Sequence, residues 1–145
     1  MRTAFPGLAI LLAGSLTAQA EMHEVKMLNR NASGSMVYEP DFVQIAAGDT
    51  VKFIAATSGH NAATIDGMVP DGHPGFKGKI NEEIEVKLDQ EGFYGVKCSP
   101  HIGMGMVMVI RVGAAAPPET FSTADVPPRA RKRFDEILAR NGFGK

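Results

Sequence analysis

The sequence has 145 residues, of which 15 are Lys or Arg and 16 are Asp or Glu, so its formal net charge at pH 7 is −1. This balance, the absence of tryptophan and the lack of aromatic residues between basic ones argue against a nucleic-acid-binding protein, for which a basic stripe is expected. A single cysteine excludes an intramolecular disulfide, so the chain must fold on its hydrophobic core alone.

Residues 1–20 have the pattern of an export signal peptide. Arg2 gives a positive start, residues 8–13 (LAILLA) form the middle of a short apolar run, and residues 18–20 (AQA) fit a cleavage signal. We therefore expect cleavage before Glu21 and export of the mature chain. A retained membrane anchor is the alternative, which is disfavoured because the apolar run is shorter than the roughly 20 residues that cross a bilayer.

Residues 21–113 show the pattern of short β-strands separated by turns. In EIEVKL (83–88) apolar residues alternate strictly with charged ones, which predicts a strand with one buried face. Residues 66–82 are rich in glycine and proline and predict a long loop. Such short strands with regular turns are typical of an antiparallel β-sandwich or barrel. The other strands are predicted within MHEVKML (22–28), VYEPDFVQIAAGDTVKFIA (37–55), FYGVKC (93–98) and MVMVIRV (106–112), the last being apolar on both faces.

The chain changes character after Gly113. Residues 114–120 (AAAPPET) predict a linker, and in the helical segment that follows Pro127 and Pro128 are tolerated only near the first turn. We favour a helix packed against the sheet. A basic amphipathic helix lying on a membrane is the alternative, which is weakened by its narrow apolar face and its acidic residues. The apolar stripe consists of Ala130, Phe134, Ile137 and Leu138, with Asn141-Gly142 as the stop signal.

The only cysteine lies in VKCSPHIGMGM (96–106), between two predicted core strands. Cys98 ends the first strand, His101 lies in the loop, and Met106 begins the return strand. A tight loop therefore presents a thiolate, an imidazole and a thioether. Two other interpretations are open: a buried thiol with no chemical role, and a nucleophile beside a base, as in a cysteine hydrolase, for which no orienting group or cleft is visible.

These donor types restrict the metal that the loop could bind. Ca²⁺ and Mg²⁺ require oxygen ligands, and Zn²⁺ rarely uses methionine. Copper accepts all three donors, and a His₂Cys set with a weak axial methionine forms blue copper electron-transfer sites. His60 is the best candidate for the second imidazole because it lies where a strand ends, and Asn61 beside it could hydrogen-bond to the loop. His23 and His73 are expected to be ordinary surface residues.

Several segments resemble the cupredoxins, and among them the pseudoazurin family. The resemblance rests first on GHN (59–61) followed by C-x₂-H-x₄-M (98–106), and it extends over residues 21–145. The other supporting segments are VKMLN (25–29), MVYEP (36–40), GDTVKFI (48–54), FKGKINE (76–82) and YGVKC (94–98).

The resemblance implies a mainly β protein: a cupredoxin-like Greek-key β-sandwich of eight strands followed by two C-terminal helices. It divides the chain into a cleaved signal peptide (1–20), the sandwich (21–113) and a helical extension packed on it (114–145). It implies a monomeric electron carrier of the bacterial periplasm, not an enzyme. Its partners would be copper nitrite reductase in denitrification, with nitrous oxide reductase or a cytochrome as further partners. A periplasmic copper storage or delivery protein is the alternative.

The resemblance also assigns roles to individual residues. One mononuclear type 1 copper would be held by His60, Cys98, His101 and Met106. Asn29, Asn61 and Pro100 would support these ligands. The exposed edge of His101 would be the electron port, and partners would dock through Met36, Met104, Lys77, Lys79, Lys97 and Arg30. Ser58 stands where close relatives carry a lysine, so the basic patch is expected to be weaker here.

Overall fold

The computed structural model of the chain describes residues 14–15 and 18–144, so most of the predicted signal peptide lies outside the described residues. The described part forms eight strands and one α-helix. The strands are β1 (Met22–Asn31), β2 (Gly34–Glu39), β3 (Phe42–Ile45), β4 (Thr50–Ile54), β5 (Ala63–Thr64), β6 (Ile84–Lys87), β7 (Gly92–Lys97) and β8 (Val107–Val112), and the helix is α1 (Pro128–Arg140). No helix among these residues is both long and apolar enough to cross a membrane.

The strands form two four-stranded sheets, in the orders β2-β1-β4-β6 and β3-β8-β7-β5. The expectation of purely antiparallel pairing is wrong, because β1 pairs with β4 and β3 with β8 in parallel. The reason lies in the connections. After the β1–β2 hairpin the chain crosses to the other sheet for β3 and returns at β4, so that β4 enters beside β1 in the same direction. The mainly β sandwich itself is confirmed.

Strand β8 lies between β3 and β7 and is buried on both faces, as its sequence predicts. Met108 and Ile110 pack into the core between the sheets. Val107 and Val109 point to the other side, where they meet a second apolar cluster that includes residues of α1. Each of these side chains is fully buried, and each burial contributes roughly 1.5–3 kcal/mol to the stability of the fold. The two clusters together hold the start of β8, which Met106 directly precedes.

The C-terminal segment contains one helix, so the two helices implied by the resemblance are not found within the described residues. Residues 114–127 form turns and irregular backbone. Proline explains this, because Pro117, Pro118 and Pro127 lack the backbone N–H that a helix interior requires. The helix begins at Pro128, a position where that donor is not needed. Its predicted stripe is buried against the second sheet, with Ala130, Phe134 and Ile137 fully inaccessible, which contradicts a helix lying on a membrane.

Candidate metal centre

The loop between β7 and β8 is closed by backbone hydrogen bonds between its predicted ligands. The N–H of Cys98 donates to the carbonyl of Met106 at 3.0 Å, and the N–H of Met106 donates to the carbonyl of His101 at 3.2 Å. A 3₁₀ turn over Ile102–Met104 lies between them. It ends at Gly105, whose φ of 88° favours glycine and where an added Cβ would lie 3.0 Å from the carbonyl oxygen of Arg129 in α1. The backbone of α1 therefore leaves little room for a side chain at position 105 of this loop.

His60 lies in the connection between β4 and β5, and its buried side chain reaches the β7–β8 loop from there. Its carbonyl accepts the N–H of Asn81 at 2.8 Å. Its Nε2 lies 2.7 Å from Oδ1 of Asn29, at the far end of β1. Because an amide oxygen only accepts, Nε2 carries the proton and Nδ1 presents its lone pair to the site. The structure thus places Asn29 against a predicted ligand, as the resemblance implies.

Three donor atoms converge at this end of the sandwich. The Nδ1 atoms of His60 and His101 are 3.2 Å apart. Sγ of Cys98 lies 3.7 Å from Nδ1 of His60 and 3.4 Å from Nδ1 of His101. Metal bonds of roughly 2.0 Å to nitrogen and 2.3 Å to sulfur, set at 120°, would separate such donors by roughly 3.5–3.7 Å. The triangle therefore fits a trigonal metal ion with little movement.

The electrostatics of the donors suit a metal as well. Burial lowers the pKa of His60, and the neighbouring His101 lowers it further, which favours the neutral imidazole that ligation requires. Burial raises the pKa of the Cys98 thiol, while hydrogen bonds from the backbone amides of Asn61 and His101 act in the opposite direction. Cys98 is fully buried. A thiol in this position is poorly suited to attack a substrate, which argues against the cysteine hydrolase.

Asn61 joins the two ligand segments. Its Nδ2 donates to the carbonyl of Gly78 at 3.0 Å and to Oγ of Ser99 at 3.1 Å. Its Oδ1 accepts the backbone N–H of Ser99 at 2.7 Å. Its own carbonyl accepts the hydroxyl of Tyr38, the buried phenol of β2, at 2.7 Å. Asn61 follows His60, and Ser99 follows Cys98. The hydrogen bonds between Asn61 and Ser99 thus link the two segments that carry these predicted ligands.

Met106 is fully buried in the same apolar cluster as Cys98. His101 is the partly exposed member of the group. Pro100 is exposed beside it, and Met104 has 43% of its surface accessible. Met36 is half-buried and packs against the apolar cluster that contains Cys98 and Met106.

Met36 has an unusual backbone conformation and is hydrogen-bonded to α1. Its φ is 51°, in the left-handed region that non-glycine residues rarely adopt. Nη1 of Arg133 donates to its carbonyl at 2.8 Å, across a separation of 97 residues. No local pattern in the sequence could have indicated this contact, because it joins α1 to β2.

The predicted basic residues surround the same end. Ala63, three residues after His60, pairs with Lys97 on one side and bridges to Lys77 on the other. Arg30 pairs with Ser35 in the β1–β2 ladder, and Ser35 directly precedes Met36 in the chain. Lys77, Lys79 and Arg30 are exposed, Lys97 is half-buried, and Ser58 is exposed. Within residues 18–144 none of these cations forms a salt bridge.

The two remaining histidines are not simple surface residues. His73 accepts the N–H of Gly75 at 2.9 Å and packs edge-on against Tyr94. His23 is half-buried, and its Nε2 is 2.9 Å from a carboxylate oxygen of the buried Asp49. The sequence offered one missed signal: Asp49 follows a glycine at a turn, where a short polar side chain often bonds the backbone.

Comparisons with known proteins agree with this geometry. Residues 25–113 match the family described as copper binding proteins, plastocyanin/azurin family. The chain is 48% identical to a putative pseudoazurin of Rhizobium leguminosarum bv. viciae, over 91% of this chain and 88% of that protein. It is 44% identical to a pseudoazurin of Paracoccus pantotrophus, over 91% and 92% respectively. The crystal structure of pseudoazurin from Methylobacterium extorquens AM1 superposes with a TM-score of 0.78 at 39% identity, over 83% of this chain and 98% of the other.

Proposed function

The chain belongs to the pseudoazurins, within the plastocyanin/azurin family of copper-binding proteins, and from this premise we propose which residues hold its copper and where it delivers electrons. It is a blue copper electron-transfer protein and not an enzyme. The observation that carries the ligand proposal is the triangle of donors, 3.2 to 3.7 Å on a side, at one end of the sandwich. The residues that would hold the copper are His60, Cys98, His101 and, as the weaker thioether donor, Met106.

Copper bound there supplies a one-electron Cu(I)/Cu(II) couple. The protein keeps the donors in one arrangement, because Asn61 bonds both ligand segments and the backbone of the loop closes on itself. Rigid donors make the reorganisation that accompanies electron transfer small. His101 is partly exposed whereas His60, Cys98 and Met106 are fully buried, so we propose its ring edge as the electron port. The apolar rim of Met36, Pro100 and Met104 allows a partner to approach that edge closely.

We propose copper nitrite reductase as the electron acceptor, with nitrous oxide reductase or a cytochrome as further partners. The support is chemical: exposed cations around an apolar rim would meet an acidic surface and steer it onto His101. The position of Lys77 and Lys97 on either side of Ala63 puts two of these charges close to the ligand segments.

Electron transfer to purified copper nitrite reductase should slow as salt is added. We expect the second-order rate constant, measured by stopped flow as the blue band returns, to fall by roughly tenfold between low and high ionic strength, because charges outside the contact are screened. Lys77→Glu should reproduce most of this loss at low salt. Lys87→Glu makes the same charge change at the opposite end of the sandwich, where Lys87 pairs with Thr50, and should have little effect. A rate that is independent of salt and of Lys77 would rule out steering by this patch.

We propose that the protein works in the periplasm as residues 21–145, of which 21–113 form the sandwich and 114–145 the extension. The pattern of residues 1–20 supports export. The first strand adds a physical argument: the nitrogen of Glu21 lies 2.9 Å from Oδ1 of Asp49. An α-ammonium created there by cleavage would pair with a buried carboxylate, so the folded protein favours a chain that starts at Glu21.

The compartment can be tested in a Gram-negative host that expresses the whole sequence. Osmotic shock should release a protein whose intact mass corresponds to a start at Glu21. Ala20→Arg should leave the uncleaved chain with the cells, because a large charged residue blocks cleavage after a small one. Recovery of the full-length chain from the cytoplasm of wild-type cells would contradict the proposal.

A further inference from the structure

A second group of metal-ligating side chains lies at the other end of the sandwich. Glu21, His23 and Asp49 bring a carboxylate oxygen, an imidazole nitrogen and another carboxylate oxygen within 4.8 Å of one another. Strand β1 starts here and reaches Asn29, beside the copper ligands, seven residues later, a distance of roughly 23 Å. The two groups are therefore separate, and nothing in the electron-transfer function uses this one.

Asp49 is the fixed member of the group. It is 94% buried, since only 6% of its surface is accessible. Its Oδ2 accepts the backbone N–H of Ala46 at 3.0 Å and lies 2.9 Å from Nε2 of His23. Its Oδ1 accepts the backbone N–H of Glu21 at 2.9 Å, so both carboxylate oxygens are held in place. A carboxylate held by backbone hydrogen bonds is oriented in advance for a cation.

Glu21 adds a third possible donor beside the ion pair of His23 and Asp49. Its exposed carboxylate lies within 4.8 Å of the ligand atoms of the other two residues, and one of these is the buried carboxylate of Asp49. A divalent cation bound between them would interact favourably with both carboxylates. One imidazole and two carboxylates form a mixed nitrogen and oxygen set, which suits Zn²⁺ better than Ca²⁺ or Mg²⁺.

We propose that Glu21, His23 and Asp49 form a second metal site, which binds a borderline divalent cation of the Zn²⁺ type. Bound there, the ion ties the start of β1 to the turn before β4, which are already joined by the bond from the N–H of Thr50 to the carbonyl of Glu21. The three side chains suffice for this site. If cleavage before Glu21 occurs as proposed, the freed amine adds a second nitrogen donor, and this addition alone rests on the proposed processing.

Titration of Zn²⁺ into the copper-loaded protein tests the site, because copper already fills the other centre. Calorimetry should show one equivalent of zinc bound, and the melting temperature should rise with zinc concentration. His23→Gln should abolish both effects, whereas His73→Gln, a histidine in the long loop, should retain them. Asp49→Asn should behave like His23→Gln, and its blue absorption would show that it is still folded.

The outcomes separate the site from its alternatives. Zinc uptake that His23→Gln leaves unchanged, or no uptake at all, would show that the group is a structural ion pair only. The contribution of the amine is tested by comparing zinc binding by a chain that starts at Ala20 with zinc binding by the chain that starts at Glu21. Intact mass establishes the first residue of each protein. Weaker zinc binding by that chain supports the fourth donor, and equal binding removes it while leaving the three-residue site in place.

Discussion

Cys98→Ser is expected to remove the intense visible absorption of the copper-loaded protein completely. The blue colour of such sites comes from charge transfer between a cysteine thiolate and Cu(II), and Cys98 is the only cysteine in the chain. Its sulfur stands at 3.4 and 3.7 Å from the two imidazole nitrogens, so no other group can take its place. A serine hydroxyl is a hard oxygen donor and binds copper weakly at neutral pH.

The measurement is an absorption spectrum with one equivalent of Cu(II), before and after a mild reductant. The wild-type protein should be blue and should bleach reversibly. Met108→Leu is a matched control, because Met108 is a fully buried thioether of the same cluster and such a volume-conserving change typically costs less than about 1.5 kcal/mol. A blue Cys98→Ser variant would refute the ligand assignment. A colourless wild-type complex would instead favour the storage or delivery function.

The alternation of residues was enough to predict the buried faces. In β6 Ile84 and Val86 are partly buried while Glu85 is exposed, as period-two patterning requires. The stripe of α1 was predictable for the same reason, since three of its four residues are fully buried. Patterning of this kind tells which face of an element is apolar and depends only on neighbours along the chain.

The spacing of the ligand loop was equally informative, because a metal requires particular atoms and a short loop can bring only nearby residues together. Cys98 and His101 are three residues apart and their donors meet at 3.4 Å. His60 could be ranked first among the histidines only by its position at the end of a strand. The structure supports that ranking with distances, since His23 and His73 lie in other environments.

Which strands are neighbours could not be deduced from the residues alone. The parallel pairs β1–β4 and β3–β8 follow from how the chain crosses between sheets, and a strand carries no mark of its partner. The same limit applies to the contact of Met36 with Arg133. This contact joins residues 97 positions apart, so it becomes visible only when the fold is known. The support of His60 by Asn29 was predicted only through the resemblance, because no local pattern joins residues 31 positions apart.

Asn61→Ala is expected to lower the stability of the copper-free protein and to slow electron exchange of the loaded one. Asn61 has 2% of its surface accessible. Removing its side chain deletes three hydrogen bonds and leaves the N–H of Ser99 and the carbonyl of Gly78 without that partner. Buried groups that lose a partner typically cost about 1–3 kcal/mol each, so we expect a loss of about 2–4 kcal/mol in the free energy of unfolding.

The effect on electron exchange has a separate cause. Without Asn61 the segment that carries His60 and the loop that carries Cys98 lose their side-chain link, so the donors can move when copper changes its oxidation state. Loss of a residue that orients metal ligands typically costs roughly 10–100-fold in affinity or activity, and we expect at least a roughly tenfold slower self-exchange rate, measured by NMR line broadening in mixtures of both oxidation states.

Two variants show which bonds matter. Asn31→Ala removes an asparagine whose bonds to Glu39 and Ser33 are exposed, and it should change neither stability by more than about 0.5 kcal/mol nor the exchange rate. Ser99→Ala deletes the hydroxyl but keeps the backbone N–H that Oδ1 of Asn61 accepts, so it should produce only a small part of both losses. Asn61→Ala could instead have the same free energy of unfolding as Asn31→Ala and the wild-type rate of electron exchange. The rigidity of the site would then come from the backbone of the 98–106 loop and not from the hydrogen bonds of Asn61.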